Sequence, residues 1–530
     1  MSNLTKVTTA ILLIAILTMV SFVAVPPAKS AAANTTIKIG VVTDRSTALS
    51  YYGDMEINGL VLGLAYALGV TNLTSAITST PNLVTVTGGG YTFQIYIADS
   101  ASNPTTAQQK AVQLITQDGV QILQGSASSS DARAIQNVAK QYQVVFFAAP
   151  AADYDITAQN FNVYTFRMAS NTYQDALTGG AYAAQNLGKS FAFIAPDYSW
   201  GYGEVSSWSD VIANNGGKVV NTQYVPLGTT DFTPYINKVL ASNASVLIPV
   251  WAGAGAIQLY QQLYSLGAYN KMNVTSGIPD LATFQLIAQY MPNYEGMMKY
   301  AYSLPNNTVN DWLIQNYISL FKQDKLPAQS ALTFPLPDLF IPDSFATGQA
   351  IVAALNETGG NTNAANMIAA LEGMTLNTPK GTMYIRPQDH QALQEMYIVK
   401  TVYDNSSFHQ YYTNASQFPA GSSWAAAFNT GFMGVQLITT LNLNQTAPPI
   451  DASAALQPRP QVTTTTSTPT ITTPTTVTTQ TTVTTSQQTT VTTSTVITTG
   501  GYNTTVIVAS VVVAVVVIVA ALFLFARRKT

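Results

Sequence analysis

The chain of 530 residues lacks cysteine entirely and is poor in charge. The absence of cysteine excludes disulfides, thiol nucleophiles and a lipid-modified cysteine as an anchor, so the fold must be stabilised by its own core. Only 9% of the residues are charged and the net charge is -3, which excludes a basic surface for nucleic acid. The exposed surface must therefore consist largely of uncharged polar side chains.

Motifs for catalysis are missing as well. The two histidines, His390 and His409, have no metal-ligand spacing, and the chain has no HExxH, Walker or G-x-S-x-G motif. Gly253-Ala254-Gly255 resembles the start of a dinucleotide loop, but Gln258 stands where the third glycine is needed. We interpret it as a tight strand-to-helix turn, and we expect no enzyme activity, no cofactor and no metal.

The N-terminus has the pattern of a secretory signal peptide. Lys6 precedes an uncharged, mainly apolar run from Val7 to Val25, and small residues follow as far as Ala33. The sequence predicts a signal peptide over residues 1–33. The alternative is a retained N-terminal anchor, because the apolar run is slightly long for a signal.

The C-terminus has the pattern of a single membrane span. Residues 505–526 carry no charge and would reach about 33 Å as a helix, enough for a hydrocarbon core of about 30 Å. Arg527, Arg528 and Lys529 follow, and such residues favour the cytoplasmic side. We predict a transmembrane helix over 505–526, a cytoplasmic tail of residues 527–530 and an extracellular remainder.

A Thr-rich segment of low complexity precedes this span. Residues 461–504 have no periodic apolar face, and Thr/Ser-rich tracts with Pro are typical of glycosylated stalks. Sequons of the N-x-S/T type, such as those at Asn72 and Asn243, also favour a glycoprotein. We interpret residues 431–460 as a lead-in to this stalk.

Between the two ends, apolar strand patterns alternate with helical patterns, which predicts parallel sheets with helices on both faces. The length favours two lobes, and ligands of such sheets bind at the carboxyl ends of the strands. Predicted strands are 37–42, 91–98, 120–124, 144–148, 191–195, 218–225 and 246–250; predicted helices are 55–68, 105–117, 130–142, 203–214, 233–241 and 254–266.

Three strand-end loops carry the candidate chemistry. Residues 125–131 (GSASSSD) offer hydroxyls and helix N-terminal amides that could hold a carboxylate, although an ordinary Ser N-cap explains them equally. Residues 148–153 (AAPAAD) follow the next strand. Residues 196–201 (PDYSWG) place two aromatic side chains where they could cover an apolar group or pack the loop.

Several strings resemble, in order, the periplasmic binding proteins of the leucine/isoleucine/valine type, with the type I solute-binding fold. They are IKIGVVT, YYGDMEINGL, ADSASNPTTAQQKAVQLITQDGVQILQGSASSS, VYTFRMAS, PDYSWGYGE, TTDFTPYINKV, YEGMMKYAY and TPKGTMYIRPQDHQALQEMYIVK. The resemblance runs from about residue 37 to about residue 411. It implies two Rossmann-like lobes with a hinge and a ligand cleft between them.

The resemblance also implies a set of ligand-binding residues. Ser128 would hold a ligand carboxylate by its amide and Ser129 by its hydroxyl, while Ala151 would add a backbone contact. Tyr52 would pack on the ligand from the first lobe, and Trp200 would close the cleft from the second.

Three further positions bear on ligand identity. Asp280 lies near the family's acidic position that pairs with a ligand ammonium. Asp153 stands where the family often has a small hydroxyl residue, and its charge would repel a ligand carboxylate. Arg45 is also unusual, and we expect it to pair with Asp153 or with an acidic ligand. A standard branched-chain amino acid is therefore not favoured, and amides, urea-like compounds and short peptides stay open.

The implied mechanism is hinge closure on a small solute and delivery to an ABC-type permease with its ATPase. The predicted first lobe comprises residues 34–158 and 303–378, and the predicted second lobe residues 159–302 and 379–430. The alternatives are a ligand-sensing receptor and a structural surface glycoprotein that binds nothing. The low charge favours an acidic external medium and an archaeal source.

Overall fold

The computed structural model describes residues 34–462, except 277–279, 292–293, 331, 404–405, 419–423, 426–427, 429–432 and 456. The described residues belong to a compact unit that ends at Thr463, and a second unit begins at Thr464. The predicted signal peptide, the membrane span and most of the stalk lie outside them. No helix among these residues is both long and apolar enough to cross a membrane.

Helices and strands alternate along most of this unit. The helices are α1 Ser50–Ala67, α2 Leu73–Ala76, α3 Pro104–Gln113, α4 Ser129–Tyr142, α5 Thr172–Asp175, α6 Ala181–Asn186, α7 Ser199–Asn214, α8 Thr233–Leu240, α9 Ala256–Ser265, α10 Leu281–Ile287, α11 Thr308–Lys322, α12 Ile341–Glu357, α13 Ala364–Leu371, α14 Ser406–His409 and α15 Ala452–Ala455. The strands are β1 Thr35–Thr43, β2 Ile77–Thr80, β3 Leu83–Gly88, β4 Tyr91–Asp99, β5 Ile122–Gly125, β6 Val145–Ala148, β7 Thr165–Phe166, β8 Ser190–Pro196, β9 Lys218–Val225, β10 Val246–Pro249, β11 Asn273–Val274, β12 Glu295–Met298, β13 Thr375–Thr378, β14 Gly381–Ile385, β15 Ala392–Leu393, β16 Met396–Tyr403 and β17 Met433–Leu441.

The first lobe is built on a seven-stranded sheet in the order β2-β3-β4-β1-β5-β6-β7. β1 runs parallel to both of its neighbours, β4 and β5. Side chains alternate between the two faces of a strand, and here both faces are covered. Ile39 and Val41 enter the main core, while Val42 enters a second core with Ile135 of α4.

Helices α1 and α12 pack closely across this lobe because glycines stand at their contact. A Cβ on Gly63 would lie 2.1 Å from the carbonyl oxygen of Phe345, and one on Gly348 would lie 2.5 Å from the amide nitrogen of Leu64. Since real side chains cannot approach so closely, these two positions require glycine.

The second lobe is built on a four-stranded parallel sheet in the order β11-β10-β8-β9. Residues 191–194 of β8 are fully buried, as is typical of a central parallel strand covered on both faces. Thr275 follows β11 and donates its hydroxyl to the carbonyl of Glu295 in β12 at 2.9 Å. This contact places the antiparallel sheet β12-β16-β17 beside the parallel one.

The chain segments that join the lobes lie side by side. Arg167, directly after β7, forms a β-bridge with Gln391 and donates its Nε to the Gln391 side chain at 2.7 Å. Burial lowers the pKa of Arg167 to about 10, although neighbouring carboxylates, first Asp153, oppose the shift. β7 pairs with β6, so the first sheet extends to Phe166, past residue 158 at which the first part of lobe 1 is predicted to end.

The segment interpreted as a lead-in to the stalk is part of the fold. β17 pairs with β16 over its whole length. Residues 442–459, here called the hinge strap, then run across the joining segments. Arg386 donates to the carbonyl of Pro448 at 2.8 Å, and Gln457 donates to the carbonyl of Phe161 at 2.6 Å. The strap therefore contacts residues near two of the crossings between the lobes.

Candidate functional site

A cavity of about 20 Å³ lies between the lobes, where loops from both sheets meet. All of its lining residues except Phe340, which precedes α12, follow the carboxyl ends of β1, β5, β6, β8 and β10, which is where parallel sheets place ligands. Most of its lining is apolar or aromatic. The lining residues are Leu49, Tyr52, Ala127, Ser129, Pro150, Ala152, Tyr198, Trp200, Ala252 and Phe340.

Tyr52 forms one wall of the cavity and links the two lobes. It lies in the first turn of α1, is 2% exposed and packs edge-on against Phe340 with ring centroids 5.3 Å apart. Its hydroxyl donates to Asp280 at 2.9 Å and accepts from the amide of Gly253 at 3.0 Å. Both partners belong to the second lobe, so one hydroxyl holds two loops of the opposite lobe.

Asp280 caps α10 from the second lobe. Its Oδ1 accepts from the amide of Thr283 at 2.7 Å, and its Oδ2 accepts from the hydroxyls of Thr283 and Tyr52. Burial raises the pKa of Asp280, although these hydrogen bonds oppose the shift. The carboxylate lies behind Tyr52 and does not line the cavity.

Ser128 and Ser129 lie at the start of α4 but face different partners. The Ser128 hydroxyl accepts from the amide of Asp131 at 3.4 Å as the helix cap, and its own amide donates to Ser126 at 3.2 Å. Ser129 lines the cavity, and its hydroxyl oxygen accepts from the amides of Ala152 and Asp153, each at 3.2 Å. The Ser129 proton can still be donated to a ligand oxygen.

Ala151 and Asp153 lie on the loop after β6 but do not line the cavity, which is contacted there by Pro150 and Ala152. Burial, and then the charge of Asp155, raise the pKa of Asp153 to about 6. Arg133 is its cationic partner at 3.7 Å.

The expected pairing of Arg45 with Asp153 is wrong. Arg45 instead lies 3.4 Å from Asp54, which is in the same β1–α1 region of the chain. Burial raises the pKa of Asp54 to about 6, and Arg45 opposes this shift. Helix α1 places Asp54 next to the loop that carries Arg45, so Arg45 pairs with Asp54 and not with Asp153.

Trp200 lines the cavity from the second lobe, as does Tyr198 beside it. Trp200 is 3% exposed, and its indole Nε1 donates to Glu204 one helical turn later at 3.0 Å. The two lobes also touch next to it, where the hydroxyls of Ser130 and Ser199 lie 3.1 Å apart.

Sequence reasoning missed several site residues. Leu49 and Phe340 precede helices and carry no motif; the topology alone brings Phe340 against Tyr52. Glu204 was also missed, although its spacing of four residues from Trp200 within α7 is a recognisable signal. Among the described residues, no group of three His, Asp or Glu side chains converges as metal ligands.

Comparisons with known proteins agree with this geometry. The family model described as "Periplasmic binding protein" matches residues 36–406. A Leu/Ile/Val-binding protein homolog 6 from Brucella melitensis is 22% identical over 300 residues, covering 56% of this chain and 74% of the relative.

Two solved structures from Rhodopseudomonas palustris share the fold. An ABC-type branched-chain amino acid transporter protein is 26% identical with a TM-score of 0.57, covering 78% of this chain and 99% of the other. A solute binding protein of an ABC transporter in complex with 3,4-dihydroxybenzoic acid is 18% identical with a TM-score of 0.61, covering 77% and 98%. With the family model matching most of its length and its cavity lying between two α/β lobes, the chain belongs to the periplasmic binding protein family.

Proposed function

We propose that this chain is a membrane-anchored extracellular receptor that captures a small solute by hinge closure and delivers it to an ABC-type permease. The observation that carries the proposal is the cavity between the lobes, closed by contacts from both sides. Its volume of about 20 Å³ is close to the room that one water requires. A solute can therefore enter only when the lobes separate, which is the motion that a hinged receptor uses.

The lining favours a solute with a flat apolar body that is uncharged or carries one negative charge. Tyr52, Tyr198, Trp200 and Phe340 supply aromatic surface, and no Lys, Arg, Asp or Glu is among the described residues that line the cavity. Ser129 supplies the hydroxyl that we propose for a ligand carboxylate or carbonyl. An aromatic lining with one hydroxyl donor is consistent with an aromatic acid as ligand, such as the 3,4-dihydroxybenzoic acid bound by one of the similar structures.

A free α-amino acid fits less well. The predicted ammonium partner, Asp280, already accepts hydrogen bonds from Tyr52 and Thr283 and is 2% exposed. We propose that Asp280 acts on the ligand through Tyr52. Ser128 and Asp153 shape the loops behind the lining, since their polar groups bond to neighbouring backbone or side chains. Ala151 is buried in the same loop as Asp153.

The anchoring part of the proposal rests on sequence alone. A signal peptide over residues 1–33, a Thr-rich stalk over 461–504 and a membrane span over 505–526 would keep the receptor captive at the cell surface. A tethered receptor has a high effective concentration at a permease in the same membrane.

The test is thermal unfolding of the full chain in detergent against a panel of solutes. The panel holds benzoate, 4-hydroxybenzoate, 3,4-dihydroxybenzoate, branched-chain and acidic amino acids, amides, urea and short peptides. A solute that binds only the folded state adds about 2.7 kcal/mol of stability at a hundredfold excess over Kd. We expect a rise in Tm with an aromatic acid, abolished in Trp200→Ala.

Trp312→Ala is the matched control, because Trp312 packs against Tyr66 and Phe345 away from the cavity. It should lower Tm but keep the shift with solute. If no solute shifts Tm, the receptor function fails and a structural glycoprotein is favoured. If only amino acids shift it, the receptor function stands and the proposed ligand class fails.

A further inference from the structure

A cluster of buried ionisable side chains lies beside the cleft, outside the lining of the cavity. It comprises two amines and three carboxyl groups, each at most 1% exposed as a residue. Charged groups are rarely buried so fully without partners, because removing them from water costs several kcal/mol each. We call this set the buried charge cluster; its members are Asp175, Glu204, Lys299, Asp343 and Lys380.

The cluster is joined to the cleft wall through Glu204. One carboxyl oxygen of Glu204 accepts from the indole of Trp200 at 3.0 Å. The neighbouring side chain of Asp175 interacts with this carboxyl group and raises the pKa of Glu204. Asp175 in turn lies 2.7 Å from the ammonium of Lys299. A continuous polar chain therefore runs from the cavity wall into the interior of the second lobe.

The cluster also reaches the first lobe. Lys380, in the turn between β13 and β14, lies 3.9 Å from Asp343 of α12 and donates to Gln394 at 2.5 Å. Lys299 lies 5.9 Å from the ring centroid of Phe340, which lines the cavity. The buried charge cluster therefore lies behind two lining residues of the cavity, Trp200 of the second lobe and Phe340 of the first.

If all five groups were ionised, the cluster would hold three negative and two positive charges. One additional proton is needed to make it neutral. Two ammonium groups neutralise two carboxylates, so a third carboxylate would leave an uncompensated buried negative charge. A hydrogen bond between two carboxyl groups likewise needs a proton on one of them. Glu204 is the member without a direct cationic partner, since Lys299 pairs with Asp175 and Lys380 with Asp343.

We propose that Glu204 is a neutral positioning residue of the binding cleft, which donates its proton to Asp175 and fixes the indole of Trp200. It does not touch the ligand itself. Through Trp200 it sets the shape of the cleft wall, and through Asp175 it ties that wall to Lys299. This proposal rests on the proposed function in one respect, which is that Trp200 contacts the ligand.

The electrostatic surroundings agree with this protonation state. Burial, followed by the charge of Asp175, raises the pKa of Glu204 well above its usual value, and Lys299 only partly opposes the shift. Burial raises the pKa of Asp343 to about 6 and lowers the pKa of Lys380 to about 8, so both are charged near neutral pH. The elements packed against α7 carry further titratable side chains: Asp131, Arg133, Lys140 and Tyr142 on α4, Tyr154 and Asp155 before β7, Tyr173 on α5, Tyr182 on α6, and Lys218 and Tyr224 on β9.

The test uses the full chain in detergent without any ligand, so its result does not depend on the receptor function. Glu204→Gln keeps one acceptor for Trp200 and one donor for Asp175 but cannot ionise. Glu204→Leu has similar bulk and removes both hydrogen bonds. Thermal unfolding is followed from about pH 5 to about pH 9. The emission and acrylamide quenching of Trp200 are obtained by subtracting the spectra of Trp200→Phe variants made in each background.

We expect the Tm of Glu204→Gln to lie within about 2 °C of the wild-type Tm up to neutral pH. Above neutral pH, the Tm of the variant should equal or exceed that of the wild type. The emission and quenching of Trp200 in this variant should match those of the wild type. Glu204→Leu should lower the Tm and increase the quenching of Trp200.

Two results would overturn the proposal. If the wild type is more stable than Glu204→Gln at every pH, the charge of Glu204 is needed and the neutral assignment is wrong. Unchanged Trp200 signals in Glu204→Leu would overturn the positioning role; if that variant does not fold, the Gln variant decides alone.

Discussion

The hydroxyl of Tyr52 donates a hydrogen bond of 2.9 Å to Asp280, so an aromatic side chain of the first lobe is held by a carboxylate of the second. The amide of Gly253 donates to the same hydroxyl. Since Tyr52 also forms a wall of the cavity, one side chain both shapes the site and links the two lobes.

Removing this hydroxyl should favour the open form. Tyr52→Phe removes the hydrogen bonds of the hydroxyl with Asp280 and with the Gly253 amide. This loss should destabilise the closed form by about 2 kcal/mol relative to the open form. Small-angle X-ray scattering without solute should show a larger radius of gyration. Tyr317→Phe is the matched control, because the buried Tyr317 hydroxyl donates to the carbonyl of Phe334 at 3.0 Å within the first lobe. An equal expansion in both variants would contradict the cross-lobe role of Tyr52.

A methyl group at Gly253 should hold the lobes apart. Gly253 has φ +75°, and a Cβ there would lie 2.2 Å from the carbonyl oxygen of Ala48 in the first lobe. Gly253→Ala should therefore expand the molecule in scattering and weaken solute binding at least tenfold, for a cost of about 1.4 kcal/mol. Gly255→Ala is the control for backbone strain, since Gly255 has φ +93° but its Cβ would meet Thr229 of its own lobe at 3.0 Å. Expansion in Gly255→Ala alone would refute the steric argument.

Stability should be greatest at acidic pH. Burial and the charge of Asp280 raise the pKa of Asp338 to about 7, and burial raises the pKa of Asp131 to about 6. A carboxyl group whose pKa is higher in the folded state than its value of about 4 in the unfolded state stabilises the folded protein. This contribution is fully present below about pH 4 and is lost as the pH rises through 6 to 7. Asp44 acts oppositely: although burial alone would raise its pKa, hydrogen bonds from Ser102 and Thr47 lower it.

Since raised carboxyls outnumber lowered ones among the described residues, the Tm should peak near about pH 4 to 5 and fall by several degrees at about pH 8. Thermal unfolding across this range measures it. A Tm that rises steadily from acidic to neutral pH would contradict both this balance and the acidic external medium that the low charge favours.

Much of the α/β framework could be predicted because apolar strands alternate with amphipathic helices. The strand at Lys218–Val225 has the predicted bounds, and the neighbouring elements differ by a few residues. The hairpin formed by Ile77–Thr80 and Leu83–Gly88 was missed. Ile77–Thr80 has no apolar alternation and is mostly exposed, whereas Leu83–Gly88 does alternate, with Val84 and Val86 buried, and sequence reasoning overlooked that signal.

The cavity could be predicted only in part. Tyr52, Ser129 and Trp200 line it because strand-end loops converge at one edge of each sheet. Phe340 could not be found, since no local pattern shows that the stretch before α12 returns to the cleft. The hydrogen bond of Asp280 with Tyr52 could not be predicted, because it joins two residues of different lobes that are distant in the sequence.

The hinge strap should stabilise the fold through its apolar contact as well as its hydrogen bonds. Ala454 of α15 is fully buried and packs with Phe161 and Val163, which precede the first crossing between the lobes. Ala454→Asp places a carboxylate in this apolar contact and should lower the free energy of unfolding by about 2 kcal/mol or more, measured by denaturant titration. Ala455→Asp is the matched control, because Ala455 is the next residue and is exposed. If both substitutions cost the same, the apolar contact of Ala454 contributes nothing to the fold; if Ala454→Asp alone is costly, the hinge strap is a stabilising part of it.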